Sequence, residues 1–146
     1  MEDDKAMPAP NYFWSIITMK CPRCRRGRMF KDSNAYRKVS LKHVFDMYEN
    51  CPECGQKYDM EPGFWYGTGY VSYALAVAMS VSTFIAWWVL IGVSTTDNRI
   101  FWWLGLNAFL LVLSQPWLMR ISRVIYMRFF VSYDPHYKQH HPKEYG

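Results

Sequence analysis

VSYALAVAMSVSTFIAWWVLIGV, residues 71–93, carries no charged side chain, and the charge-free region around it runs from Pro62 to Thr96. At helical rise these twenty-three residues cover about 35 Å, enough to cross a bilayer hydrocarbon core of about 30 Å. A buried helix of a soluble bundle would show a polar residue at every third or fourth position along one face, and none is present. The expectation is a transmembrane helix, reached through a loop in which Pro62, Gly63, Gly67 and Gly69 cluster, so that residues 63–93 hold the lead-in loop and the first span.

Downstream, the polar turn Ser94-Thr95-Thr96-Asp97-Asn98-Arg99 separates this stretch from a second uncharged run, IFWWLGLNAFLLVLSQPWLM, residues 100–119. A six-residue turn (94–99) predicts an antiparallel two-helix hairpin with both chain ends on one side. Eleven of the seventeen Lys and Arg residues precede the first span, five follow the second, and only Arg99 lies in the turn. Positive-inside bias therefore puts both termini in the cytoplasm. Trp87, Trp88, Trp102 and Trp103 would form the aromatic belt of the outer face; Trp65, Tyr66, Tyr70 and Trp117 would mark the inner one.

Few polar groups lie at membrane depth. Asn107 and Gln115 are expected to bond a neighbouring backbone carbonyl, with a bond across the hairpin or to a partner as the alternative. No Asp, Glu, Lys, Arg or His falls inside either run, which argues against an ion or proton path. Past Pro116, Leu118, Ile121, Ile125 and Phe129 recur on one face, with Arg120 and Arg123 opposite and Arg128 flanking. This pattern predicts a kink and then an amphipathic cytoplasmic helix, residues 120–132, bending onto the inner leaflet. Residues 133–146 read as a solvated polar tail, in which His136, His140 and His141 cluster but Pro135 and Pro142 oppose a rigid helical metal site.

Upstream, the four cysteines of the chain fall in two matching pairs, Cys21-Pro22-Arg23-Cys24 and Cys51-Pro52-Glu53-Cys54, with twenty-six residues between them. Two C-x2-C turns supply two thiolates each to a tetrahedral zinc ion, with backbone amides aimed at the sulfurs. Gly27 and Gly55 suit the tight turns of such knuckles. A disulfide framework would need an oxidising compartment, whereas the charge bias puts these thiols in the cytoplasm. A redox pair would need its attacking cysteine at a helix start in a βαβ setting, which neither pair has. Residues 11–62 are thus expected to form a small zinc-ribbon-like module with Cys21, Cys24, Cys51 and Cys54 as its metal ligands. A closed four-cysteine site leaves no position for a catalytic water.

Between the knuckles, Ser40 can cap a short helix whose Leu41, Val44, Phe45 and Tyr48 keep helical spacing. Lys20, Arg23, Arg25, Arg26, Arg28 and Lys31 crowd the first knuckle and are expected to face lipid headgroups or solvent; an acidic protein partner comes second, and nucleic acid is the least favoured. Residues 1–10 are expected to be a disordered tail, without the basic start and apolar core of a secretory leader. With 146 residues, 18 % of them aromatic, the chain has room for one small module and its membrane segments, and not for a large enzyme. The fold class expected is a membrane protein: a small cytoplasmic zinc-ribbon-like module, then an antiparallel two-helix transmembrane hairpin, then a C-terminal amphipathic helix.

In order, CPRCRRGRMF, CPECGQKYD, EPGFWYGTGYVSYA and the two-span hairpin resemble the bacterial family known as domain of unknown function 983, from about Lys20 to about Arg128. The Trp-rich outer turn and the tail look like those of members from the Bacteroidetes. The resemblance implies a zinc-ribbon protein of the bacterial inner membrane. Because some members are encoded near respiratory oxidase genes, it also implies a role in oxidase biogenesis or as an accessory subunit, an implication by analogy.

Neither a Ser/His/Asp order, a Gly-rich phosphate loop nor a buried carboxylate pair stands out. The expected function is that of a non-enzymatic accessory or assembly protein, bound to the bilayer and to another membrane protein or respiratory complex. A metal- or thiol-handling protein acting through the CPxC pairs is the alternative, and a membrane-tethered nucleic-acid-binding regulator the third reading.

Overall fold

The computed structural model describes residues 8–32, 34–37, 42, 45–59 and 62–142. A short helix α1 (Tyr12–Ile17) leads into the cysteine module. In that module three single antiparallel backbone pairings, Lys20 with Arg28, Phe30 with Met47 and Asn50 with Lys57, stand in for the longer strands of a ribbon. A 3-10 turn at Phe64–Gly67 opens α2 (Thr68–Leu90), and α3 (Arg99–Phe130) follows. Of the helix expected between the knuckles, Ser40, Leu41 and Val44 lie outside the described residues, as do 1–7 of the N-terminal tail and the last four residues.

The apolar stretch of 71–93 is helical as expected up to Leu90, and the helix begins three residues earlier, at Thr68. Gly92 ends it: at φ 82° its N–H reaches back to the Trp87 and Trp88 carbonyls at 3.2 and 3.1 Å. Only glycine takes that left-handed position without steric cost. Arg99, at the start of α3, donates to the Ile91 carbonyl at 3.1 Å. One more unpaired C-terminal carbonyl is thereby satisfied.

The stretches Phe64–Leu90 and Arg99–Phe130 are each long and apolar enough to cross a membrane. Their contacts run in opposite order along the two helices: Gly67 against Tyr126, Thr83 against Asn107, Phe84 against Trp103. Asn107 does not turn to a backbone carbonyl. Its Oδ1 accepts from Thr83 Oγ1 at 3.1 Å and its Nδ2 donates to Ser80 Oγ at 3.2 Å. Polar groups of this stretch thus meet inside the helix pair, while no residue of α2 is buried and Tyr70, Tyr73, Trp88, Phe101, Phe109 and Val112 face outward. Gly67 has a packing role within the chain, because a Cβ there would overlap the Tyr126 ring.

Beyond Pro116 the structure departs from expectation. The helix does not break into a spanning part and a separate amphipathic part; α3 is continuous to Phe130. The buried face of its second half is also rotated from the predicted stripe. Leu118, Arg120, Ile121, Ser122, Val124 and Met127 are buried, whereas Phe129 is 75 % exposed. Arg120, expected on the polar side, is 1 % exposed. Its Nη1 donates to the Asp32 carbonyl at 2.8 Å and its guanidinium lies 4.8 Å from the Phe30 ring centroid. This half of α3 packs on the cysteine module: Val124 and Met127, with Val131 just after the helix, share one core with Cys21, Cys24, Cys51, Met29, Phe30 and Tyr58.

Candidate metal centre

Each knuckle is built by the same backbone device. The N–H of the residue after the second cysteine returns to the first cysteine's carbonyl, Arg25 to Cys21 at 2.8 Å and Gly55 to Cys51 at 2.9 Å. That following residue sits in the left-handed region, Gly55 at φ 71° and Arg25 at φ 55°. Glycine suits the position; arginine there costs roughly 1 kcal/mol. Arg25 is held by other bonds: Nη1 donates to the Pro10 carbonyl at 3.2 Å, and its guanidinium lies over the rings of Tyr133 and Tyr12 at 4.2 and 5.3 Å. The first cysteine of each pair then bonds forward, Cys21 N–H to Gly27 O and Cys51 N–H to Gln56 O, closing each turn. Gly27 serves by its lack of a side chain, because a Cβ would overlap Cys51 Sγ, while its N–H points at Cys24 Sγ, 3.4 Å away.

The two turns bring all four sulfurs within 4.8 Å of one another. Cys21 Sγ lies 3.7 Å from Cys54 Sγ, and Cys24 Sγ lies 3.7 Å from Cys51 Sγ. These separations rule out disulfides, whose sulfurs are about 2.05 Å apart. Four sulfurs at a tetrahedral metal with bonds of about 2.3 Å would be about 3.8 Å apart, so the cluster fits such an ion. Cys21, Cys24 and Cys51 are buried and Cys54 is half-buried. The four thiols share protons: a hydrogen bond from Cys21 is the main cause that lowers Cys24 to about 7, and the same donor depresses Cys51. Buried thiols crowded in this way gain most from a cation that takes the place of their protons.

Around the sulfurs lies a second layer that no motif in the sequence marks. Tyr58 is buried beside Cys21 and Cys51, and its hydroxyl donates to the Arg28 carbonyl at 3.4 Å; burial first, and then the thiolate charges, push its ionisation well above the ordinary range. Arg23, expected to face lipid or solvent, is 3 % exposed. From inside the first knuckle it donates to the carbonyls of Cys54, His140 and His141 at 3.4, 2.7 and 3.1 Å and pairs with Asp134 at 3.6 Å. Asp134 N–H returns a bond to the Arg23 carbonyl at 3.0 Å. Burial works to raise the Asp134 carboxyl, yet bonds from His140 and the His136 N–H, together with Arg23, hold it below its usual value.

Residues 131–142 consequently form a strap across both knuckles, in which Lys138 to His141 stay exposed. Val131 and Tyr137 enter the core, and Pro142 lies against Gly55. His140 Nδ1 is engaged with Asp134 at 2.8 Å. Among the described residues, the four cysteines are the one set of three or more His, Cys, Asp or Glu side chains placed to share a metal ion.

Two other cations of the predicted basic face make bonds within the chain while staying exposed. Lys31 pairs with Asp46 at 3.2 Å, and Arg26 Nη2 donates to the Pro8 carbonyl at 3.3 Å. From α3, Arg123 stacks on Phe45 and Trp65, and Arg128 donates to Ser15 Oγ at 2.9 Å. A dication held by four thiolates would leave a net charge of −2, and Arg128 lies within electrostatic reach of Cys21.

Compared with known proteins, the chain matches no family model, no curated protein and no solved structure.

Proposed function

We propose that this protein is a non-enzymatic accessory or assembly factor of the bacterial inner membrane, a two-helix transmembrane hairpin joined to a cytoplasmic four-cysteine zinc module that docks a partner. The observation that carries this reading is the shared core. Three of the four cysteines pack in one cluster with Val124 and Met127 of α3, so the module is fixed to the helix pair instead of swinging on a linker. A partner gripped by the module would be held at a set height and angle against the bilayer.

Zinc is favoured by the all-thiolate set and the tetrahedral spacing, and a closed site of this kind contributes folding energy. Membrane insertion is supported by α2, which has no buried residue. A long apolar helix buried on no face is stable in lipid and would aggregate in water. The asymmetry of Lys and Arg favours both termini in the cytoplasm. The resemblance to the family of domain of unknown function 983 suggests the partner, a respiratory oxidase or an assembly intermediate of one.

Crosslinking in native membranes followed by mild-detergent pull-down tests the docking role, and a defined membrane complex is expected to copurify. Recovery of the protein alone, with known complexes intact in the same sample, would contradict it.

The partial exposure of Cys54 favours a second reading, a metal- or thiol-handling protein. Exchange of bound zinc within seconds would support that reading. A zinc ion that resists both chelator and oxidant would remove it.

A further inference from the structure

We propose that a cleft between the cysteine module and α3 binds the headgroup of one anionic phospholipid, a proposal that rests on the membrane reading above. The cleft encloses about 410 Å³. One wall is the end of α1 and the following turn, from Ile17 to Lys20; another is formed by Arg28, Asp32 and Tyr36; Trp117 of α3 closes it.

Its depth follows from the rise along α3. Taking Arg99 as the outer end, Leu113 lies about 21 Å and Trp117 about 27 Å along the helix. Both fall inside a hydrocarbon core of about 30 Å, whereas Arg120, at about 32 Å, lies just past it. Tyr36 reaches down from the module to this level, where its hydroxyl donates to the Leu113 carbonyl at 2.8 Å. It does so beside the place where Pro116 has no N–H to offer the Val112 carbonyl. The Trp117 and Tyr36 side of the cleft is thus at acyl-chain depth.

The chemistry changes along the same direction. At the membrane end stand Trp117 and Tyr36, apolar bodies suited to a chain or glycerol backbone. Lys20 and Arg28 stand together at the other end, set side by side by the antiparallel pairing of their backbones. Among the described lining residues, Lys20 and Arg28 are the cations and Asp32 the one carboxylate. Phe13, Trp14 and Ile17 of α1 are exposed beside it. An amphiphile with a phosphate head matches this order of groups; a soluble phosphate would leave the apolar end unfilled.

The test uses the full chain in nanodiscs of mixed phosphatidylglycerol and phosphatidylcholine, with mass spectrometry of the lipid retained on delipidation. One phosphatidylglycerol per chain is expected to be retained in preference to phosphatidylcholine. The double variant Lys20→Gln/Arg28→Gln should hold it about 30-fold more weakly, since each cation near an anionic surface contributes about fivefold in affinity. The charge-keeping pair Lys20→Arg/Arg28→Lys should restore retention, and inorganic phosphate should not displace the lipid. Equal retention of the two lipids, unchanged retention in the Gln variant, or displacement by inorganic phosphate overturns the proposal with membrane insertion intact. Release of the chain from native membranes by alkaline carbonate would instead overturn the membrane reading itself.

Discussion

The two halves of α3 lie in one continuous helix and obey opposite rules. From Arg99 to Trp117 most apolar side chains are exposed and the one buried residue is Asn107. From Leu118 to Phe130 the apolar side chains of Leu118, Ile121, Val124 and Met127 are buried, Val124 and Met127 against the cysteine module, accompanied by a buried arginine, while Phe129 and Phe130 stay exposed. Polar groups differ in the same way. In the first half Asn107 is satisfied by Ser80 and Thr83 across the helix pair; in the second, arginines reach a carbonyl, a hydroxyl and rings of distant segments. On the proposed membrane reading, the difference marks a change of solvent along a single helix, from lipid to water, near Arg120.

If that contrast is real, perturbations of the two halves must separate. The largest effect is expected from metal removal. Structural zinc contributes on the order of 10 kcal/mol to folding of small modules. Cys21→Ser with Cys51→Ser should therefore abolish metal binding and expose residues 118–142 to hydrogen exchange, while 71–112 stay protected. Uniform loss of protection along both helices would show that the halves are not independent.

Truncation of a buried side chain comes next. Met127→Ala should lower stability by about 3 kcal/mol, followed by thermal unfolding in detergent. Arg23→Ala removes the bonds that tie the strap to the second knuckle and should cost about 2 to 3 kcal/mol. Its readout is faster zinc loss to a chelator together with rapid exchange at residues 133–142; unchanged kinetics would mean that the strap does not guard the metal.

In the first half of α3 the expected effects are smaller. Asn107→Leu should cost about 1 kcal/mol, the usual worth of a hydrogen bond between membrane helices. Val112→Ala, at an outward-facing position, should change stability by less than about 0.5 kcal/mol. A loss at Val112 comparable with that at Met127 would erase the distinction between the halves.

Features of short sequence range were legible in advance. The cysteine spacing picked out the four residues that converge, and the charge-free stretches picked out both long helices. What escaped prediction depends on distant backbone atoms. Arg120, which in the sequence marks the start of a polar segment, is buried because the carbonyl of Asp32, far away along the chain, accepts its proton. Charge in a sequence marks where an apolar run ends, and a helix can continue past that point. The strap looks solvated in the sequence because Arg23 grips it mainly through the carbonyls of His140 and His141, groups that every residue carries and no motif records. Arg25 in a left-handed position was likewise hidden. Glycine marks that position in the second knuckle, while stacking on Tyr12 and Tyr133 secures it in the first.

The central claim, a four-thiolate zinc site built into a membrane-anchored core, is tested most directly by zinc K-edge X-ray absorption on the full chain extracted from membranes with detergent. The account predicts one zinc per chain with four sulfur neighbours at about 2.3 Å. A zinc-free protein, or a coordination shell containing nitrogen or oxygen, would contradict it.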